Sequence, residues 1–390
     1  MLCLYIMSCL FSMAGSGCII VMCWRKMDQI LQRLLLGLSI ADFLLSCSLL
    51  ASPFSVPSGL VLSVARGSFQ SCAATGFFVV VFQLVTACYN CYISIYYLAI
   101  VRYNWKENVS HTVTKVTISK WEALVHCVAV ALPVALGIVA ITTESLNPTK
   151  LLPVCHIEYY PWGCGRHEKE DEYSQAVALC ERSDHVTAYA VGTSGNLYLA
   201  LLTVVSLSCT IVLFFTVRKK LRQSLRFSHQ SGSPNEDIDN LRGSTNNEQH
   251  PFVERIKRVR VQSTLYALTY LHTILWPIIL VVMSMNMTTM EVQENRSEPK
   301  LLIVQFLAAM FFPLQGFFNF CVYTRQKRIQ WRAAEPELCV FRIWYKIVAG
   351  ENIPSAAARR LQRRAKEGGP SSPSTSDTSH SNLTSSITTL

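Results

Sequence analysis

Polar side chains placed inside long apolar stretches are the residues of this chain best suited to chemistry. The first is Asp42, the only acid in the apolar run LLLGLSIADFLL. A carboxylate in a membrane-spanning helix costs several kcal/mol unless it is hydrated or paired. Two interpretations of Asp42 follow, an ion or water site and a structural hydrogen-bond hub, and the sequence leaves both open.

A second set of polar residues lies in the stretch from Cys72 to Tyr103, which has no charged residue before Arg102. The set recurs at steps of three, four or seven, so that it falls on one face of a helix. In a membrane such a face is turned toward other helices or a wet cavity. The pattern favours the central helix of a bundle over an ordinary spanning helix with polar packing contacts. The members are Cys72, Gly76, Gln83, Thr86, Asn90, Ser94 and Tyr97.

The elements that carry these residues are apolar and long. Of 390 residues, 51% are hydrophobic and only 15% are charged, whereas soluble domains carry about 25% charged residues. A stretch of about 20 apolar residues spans a bilayer. The predicted fold is all-α, a polytopic membrane protein whose seven-transmembrane helix bundle fills residues 1–350. The spans are predicted at about residues 2–24, 31–56, 72–101, 121–142, 195–217, 261–285 and 301–323.

The segment after the seventh span has a different character. Residues 338–350 read LCVFRIWYKIVAG, an apolar and basic mixture that suits an amphipathic helix on the inner membrane surface. Residues 351–390 are basic and then rich in serine and threonine. This composition predicts a disordered cytoplasmic tail that kinases can phosphorylate.

Charge distribution sets the expected topology. The net charge of +10 would suit a nucleic-acid partner, but the basic residues cluster in particular loops instead. Arg218, Lys219 and Lys220 follow the fifth span, and ERIKRVR precedes the sixth. By the positive-inside rule this loop is cytoplasmic. We therefore expect a multi-pass plasma-membrane protein with its N-terminus outside and its C-terminus in the cytoplasm, and no nucleic-acid partner.

Four cysteines are expected on the oxidising outer side. Cys72 begins the third span, and Cys155, Cys164 and Cys180 lie in an acidic loop that runs from residue 143 to about residue 191. Four cysteines allow three pairings, among which sequence does not choose. The expected pairs are Cys72 with Cys155 and Cys164 with Cys180.

Two glycosylation acceptor patterns fall in another loop that the topology places outside. They are Asn286-Met287-Thr288 and Asn295-Arg296-Ser297. A sugar on either asparagine requires that the loop be exposed in a secretory compartment. Because so short a pattern recurs by chance, it supports the topology without deciding it.

Seven spans, an outer N-terminus and a cysteine atop helix three resemble a G-protein-coupled receptor. LSIADFL looks like the Leu-x-x-Ala-Asp signature of that superfamily, and Trp276-Pro277 resembles the kink of its helix six. PLQGFFNFCVY, from Pro313 to Tyr323, is similar to helix seven of the slime-mould cyclic-AMP-receptor-like and secretin-like (family 2) receptors. Cys155 stands where those receptors place a second-loop cysteine.

Two departures from the superfamily accompany these motifs. Val101-Arg102-Tyr103 stands where an acidic-Arg-Tyr motif would end helix three, and the Asn-Pro-x-x-Tyr form of helix seven is absent. Arg102 is accordingly read either as a contact for a partner or as a positive-inside anchor.

The resemblance implies an extracellular ligand, a heterotrimeric G protein, a lipid bilayer, and kinase and arrestin-like partners at the tail. A ligand would bind under the disulfide-tethered loop, and a two-state change of the helices would transmit its binding. The residues expected to line the ligand pocket are Phe82, Gln83, Thr86, Trp276 and Gln305. The expected activation-switch residues are Asp42, Asn90, Arg102, Pro277, Pro313, Asn319 and Tyr323.

A transporter or channel is the alternative function, since such proteins also bury charges at mid-membrane. No internal repeat is seen, and Asp42 is the only clearly central acid. An enzyme is not expected, because the two histidines within spans, His126 and His272, have no metal-ligand spacing. No cofactor is expected either, since the seventh span lacks the lysine on which a retinal Schiff base would form.

Overall fold

The computed structural model describes residues 1–25, 27, 29–58, 64–103, 113–149, 152–161, 180–230, 260–280, 282–283, 299–351 and 353. Cys164, Asn286, Asn295 and nearly all of residues 351–390 lie outside the described residues. The predictions made for them therefore remain predictions.

Seven of the described helices are long and apolar enough to cross a membrane. The prediction of an all-α, seven-transmembrane bundle is confirmed. A shorter helix, α8 (Val340–Ala349), follows the seventh. The membrane-length helices are α1 (Leu2–Trp24), α2 (Ile30–Ser55), α3 (Phe69–Tyr103), α4 (Val113–Thr142), α5 (His185–Gln230), α6 (Arg260–Leu280) and α7 (Pro299–Ala334).

Helix α5 begins at His185, whereas the sequence predicted a loop to about residue 191 and a span from residue 195. The reason is a helix cap in a polar stretch. The carboxylate of Asp184 accepts a 3.0 Å hydrogen bond from the Thr187 backbone N–H, which satisfies one of the donors that every helix start leaves unpaired. The hydrogen bonds from Thr187 hold the pKa of Asp184 below its usual value.

Helix α3 occupies the centre of the bundle. It packs against α2, α4 and α5, and from Val79 to Cys91 almost every side chain is buried. A helix that is buried on all sides, rather than along one stripe, is surrounded by other elements. This packing supports the interpretation of the stretch as a central helix.

A small antiparallel hairpin, which the sequence did not reveal, follows α4. Strand β1 (Leu146–Pro148) pairs with β2 (Cys155–Ile157), so that Leu146 lies opposite Ile157. The buried Asn147 side chain donates to the carbonyls of Glu144 and Glu158 at 2.9 and 2.8 Å. We call the end of the bundle that carries this hairpin the hairpin end, and the opposite end the tail end.

Helix α7 is interrupted by a 3-10 turn at Phe312–Leu314. Pro313 explains the interruption, because proline lacks an N–H and its ring clashes with the preceding turn. An α-helix resumes at Gln315. Its first backbone N–H groups therefore need partners outside the helix.

Residues 326–349 belong to a separate compact unit. Helix α8 (Val340–Ala349) lies here, and Gly350 ends it in the left-handed conformation at φ 82°. Ile343 and Ile347 are buried, whereas Phe341 and Tyr345 are exposed. The helix thus forms where the sequence predicted an amphipathic segment at residues 338–350.

A candidate switch site inside the helix bundle

Asp42 lies at the centre of a buried polar network and is 1% exposed. One carboxylate oxygen accepts a 3.1 Å hydrogen bond from the Thr86 hydroxyl. The other accepts a 2.7 Å bond from the Asn319 side-chain amide. Asp42 shares the buried face of α2 with Leu38, Leu45 and Leu49, a spacing that turns it inward. Its carboxylate thereby joins α2, α3 and α7.

The network continues to α1 through hydroxyl groups. The Ser46 hydroxyl donates a 2.8 Å hydrogen bond to the backbone carbonyl oxygen of Asp42. It also lies 2.8 Å from the Ser12 hydroxyl oxygen. The Ser12 hydroxyl oxygen accepts a 3.0 Å bond from the Gly316 backbone N–H. Gly316 is the second residue of the resumed helix, where backbone N–H groups are short of partners in the same α-helix. Ser12 supplies such a partner from α1.

Glycine allows α1 and α7 to approach closely enough for this bond. A Cβ atom added at Gly316 would overlap the Ser16 hydroxyl and lie 2.8 Å from the Ser12 carbonyl oxygen. A Cβ atom added at Gly15 would lie 2.8 Å from the Phe317 Cα atom. Both glycines are therefore required by a contact between backbones, not by a turn.

Within the described part of the chain, Asp42 forms no ion pair with a cationic side chain. Its bonded partners are neutral donors. No three His, Cys, Asp or Glu side chains of the described ranges stand close enough together to hold a metal ion. Two polar atoms at the contact of α1 with α7, Ser16 Oγ and Gln315 Nε2, are buried and have no hydrogen-bond partner among the described residues. The bonds make Asp42 a hydrogen-bond hub, and its use as an ion or water site remains a prediction.

Other expected switch residues lie nearer the tail end. The Tyr323 hydroxyl donates a 3.0 Å bond to Gln32 Oε1, which also accepts a 3.2 Å bond from the Cys23 thiol. The Asn90 amide instead bonds to the Thr86 carbonyl of its own helix at 3.0 Å. This separate set of bonds connects Tyr323 with α1 and α2, whereas Asn90 makes its bond within α3.

A charged cluster joins α2, α3 and α4 and was not found from the sequence. The Arg33 guanidinium donates two bonds to the Glu122 carboxylate, one of them at 2.8 Å. His126 lies 3.8 Å from the same carboxylate and 2.8 Å from the Tyr89 hydroxyl. Of the partners of His126, Glu122 lies one helical turn away in α4, whereas Tyr89 comes from α3.

Arg102 is exposed at the tail end of α3. The residue before it, Val101, is buried and its carbonyl accepts a 2.5 Å bond from the Lys220 ammonium of α5. A lysine at this place interacts favourably with the partial negative charge of a helix C-terminus. The exposure of Arg102 is compatible with both interpretations made from the sequence.

The residues expected to line a ligand pocket divide into two groups. Phe82 and Trp276 pack against apolar clusters at the hairpin end, and Leu152 joins both clusters. Gln305 is buried on the same face of α7 as Leu301 and Ala308. Thr86 lies one turn deeper than Phe82 and bonds to Asp42, so that it belongs to the polar network.

A disulfide joins Cys72 to Cys155, with their Cα atoms 5.4 Å apart. It ties the first turn of α3 to strand β2. Cys180 is also disulfide-bonded, and its pairing with Cys164 remains a proposal because Cys164 lies outside the described residues.

Peptide mapping of the unreduced protein is expected to recover Cys72 and Cys155 in one linked fragment, because the structure places their sulfur atoms in bonding contact. Reduction should separate the two peptides. Cys339, which is free and exposed, is the internal control and should be alkylated without reduction. Alkylation of Cys72 and Cys155 before reduction would contradict the bridge.

No family model and no curated protein matches this sequence. The fold is similar to that of squid rhodopsin, seen in a crystal structure, with a TM-score of 0.55 and 11% sequence identity. The match covers 94% of this chain and 90% of that chain. At this identity the similarity concerns the fold alone. The chain is thus a multi-pass membrane protein that shares the seven-helix architecture of squid rhodopsin.

Proposed function

We propose that this protein is a plasma-membrane receptor of the G-protein-coupled superfamily, which detects an extracellular ligand and activates a heterotrimeric G protein. The observation that carries the proposal is the hub at Asp42, which bonds α3 to α7 in a fold similar to that of squid rhodopsin. The hairpin end faces outward in this proposal. Its oxidised cysteines, Cys72 and Cys155, support that orientation.

The mechanism follows from the position of the hub between the two ends. A ligand at the hairpin end acts only if it binds one helix arrangement more tightly than another. A shift of α7 relative to α3 would exchange the 2.7 Å bond between Asn319 and Asp42 for another arrangement. The same shift would move Tyr323, which bonds to α2 at the tail end.

The tail end supplies the surface for the G protein. Arg102, Arg218 and Lys219 are exposed there, and their positive charges would attract an acidic partner surface. The predicted tail, residues 351–390, would supply serines and threonines for a kinase and an arrestin-like partner. Membership of the slime-mould cyclic-AMP-receptor-like or secretin-like branch remains a prediction.

The test is nucleotide exchange on a panel of purified heterotrimeric G proteins, with this protein in nanodiscs. We expect basal exchange above that of empty nanodiscs, because two-state bundles populate the active arrangement to some extent without ligand. Arg102→Ala should reduce the exchange. Arg25→Ala, which removes an exposed charge at the end of α1, is the matched control and should retain it.

An absence of exchange with every G protein of the panel would contradict coupling. The alternative, a transporter or channel, rests on the charge buried at Asp42. It predicts solute or ion flux in proteoliposomes that Asp42→Asn abolishes, and a receptor should show no such flux.

A further inference from the structure

We call residues 152–154, which precede strand β2, the tip of the hairpin; its Leu152 and Val154 are apolar and pack against helices of the bundle. Val154 is 6% exposed and belongs to a cluster with Tyr5, Leu49 and Phe312, against which Leu152 also packs. Leu152 packs as well against a second cluster of α6 and α7 residues, which includes Leu301. A surface loop would ordinarily leave such side chains on the outside. This tip instead contributes to the core.

The strands below the tip reach the rest of the bundle. Leu146 of β1 is fully buried in a third cluster, which joins α3, α4, α5 and α6, and Ile157 of β2 packs against it. The three clusters together take residues from all seven membrane-length helices. The hairpin is therefore the one described segment outside the helices that connects all three clusters.

The tip has a defined conformation. The Thr149 backbone N–H donates to the Val154 carbonyl at 3.0 Å, and the Thr149 hydroxyl donates to the Leu152 carbonyl at 2.8 Å. The Cys155 N–H donates to the Ser52 hydroxyl of α2 at 3.0 Å. Together with the disulfide to Cys72, these bonds hold the tip from both sides.

The tip packs against the same clusters as residues that were expected to contact a ligand. Phe82 packs against the same cluster as Leu152. Gln305 is one helical turn from Leu301 and one from Ala308, which both belong to the second cluster of Leu152. Trp276 packs against that second cluster as well. The place assigned to a diffusible ligand is therefore filled by the chain itself.

We infer that residues 152–154 are a tethered occupant of the ligand site, which a diffusible ligand must displace. The occupancy follows from the contacts above, and its regulatory effect rests on the proposed function. Because Leu152 packs against both the cluster of α1, α2, α3 and α7 and the cluster of α6 and α7, removing its side chain weakens the contact between α6 and the helices of the first cluster. The occupant thus sets the basal activity of the receptor.

The occupancy is tested without any G protein. A diazirine analogue of leucine is placed at position 152 by amber suppression, and the protein in nanodiscs is irradiated and digested. The expected cross-links join position 152 to peptides of α7 and of α1 or α2. The same analogue at Leu302, which is 40% exposed on α7, is the control and should label lipid. Labelling of lipid, solvent or other loops from position 152 would overturn the inference.

Access to the covered site is the second measurement. Gln305→Cys is treated with a charged methanethiosulfonate reagent, with the unsubstituted chain as the blank. Adding Leu152→Ala should raise the labelling rate at least about tenfold, since the rate follows the fraction of molecules in which the site is open. Val186→Cys at the exposed start of α5 should react equally with and without Leu152→Ala. Equal rates at Gln305→Cys would overturn the inference.

The last measurement separates the inference from the proposed function. Basal nucleotide exchange is compared between the unsubstituted chain and Leu152→Ala, and a change of at least about threefold is expected if the occupant biases a two-state bundle. If position 152 cross-links to α7 but no variant stimulates nucleotide exchange, residues 152–154 still occupy the site, and the proposed receptor function is rejected. Exchange that Leu152→Ala leaves unchanged would reject the regulatory role.

Discussion

Gly316→Val is expected to lower the free energy of unfolding by about 3 kcal/mol or more, as strongly overpacked core substitutions do. The first added carbon atom would overlap the Ser16 hydroxyl and lie 2.8 Å from the Ser12 carbonyl oxygen. A serine side chain can move aside, but the Ser12 backbone cannot move without shifting α1. The result should be seen as a lower thermal unfolding temperature of the purified protein, or as loss of monodisperse protein.

Gly17→Val is the matched control, because a Cβ atom at Gly17 meets nothing within 4 Å. It introduces the same valine side chain into α1, two positions after Gly15, which contacts α7. Ser16→Gly should restore part of the stability of Gly316→Val by removing the overlapping hydroxyl. Equal unfolding temperatures for Gly316→Val and Gly17→Val would contradict the close contact of the two backbones.

Asp42→Leu is expected to cost about 3 kcal/mol of stability, because it removes the acceptor from two buried donors at about 1–3 kcal/mol each. Those donors are the Thr86 hydroxyl and the Asn319 amide. Asp42→Asn should cost less, since it keeps one acceptor oxygen of nearly the same shape. Thermal unfolding of the three proteins in one detergent measures the difference.

A double-mutant cycle identifies the hub as the cause. Asp42→Leu combined with Asn319→Leu should cost clearly less than the two single changes added together, because the second change removes a donor that the first left unpaired. Additive costs would show that the two side chains do not interact. If Asp42 is also a functional switch, Asp42→Asn should alter basal exchange while surface expression stays normal, and unaltered exchange would leave it a structural hub.

The spans could be predicted because membrane insertion depends on local composition. Twenty or more apolar residues identify a helix wherever they occur, and Leu2–Trp24 was predicted to the residue. The start of α5 was predicted late because a cap at Asp184, rather than hydrophobicity, determines it. The hairpin escaped notice because strands of three residues, such as Cys155–Ile157, are too short to show alternation.

The site was predictable only in part. Asp42 was identifiable from its cost in an apolar helix, and Asn319 from the motif around it. Their bond, which joins positions 277 residues apart, depends on the relative rotation and height of two helices. The pairing of Arg33 with Glu122, across 89 residues, was missed for the same reason. Composition determines which segments span the membrane, and packing determines which of their side chains meet.

The bond from Gly316 to Ser12 also bears on how the protein is made. Helix α1, which is synthesised before α7, carries the hydroxyl that accepts this bond, so that the bundle cannot close until α7 has been synthesised. Until then Ser12 and Asp42 have no partner from α7 and present polar groups to lipid or to the insertion machinery. A chain truncated before Pro299 would retain those exposed groups. Membrane quality control thus has a chemical signal that distinguishes a bundle without α7 from one that contains it.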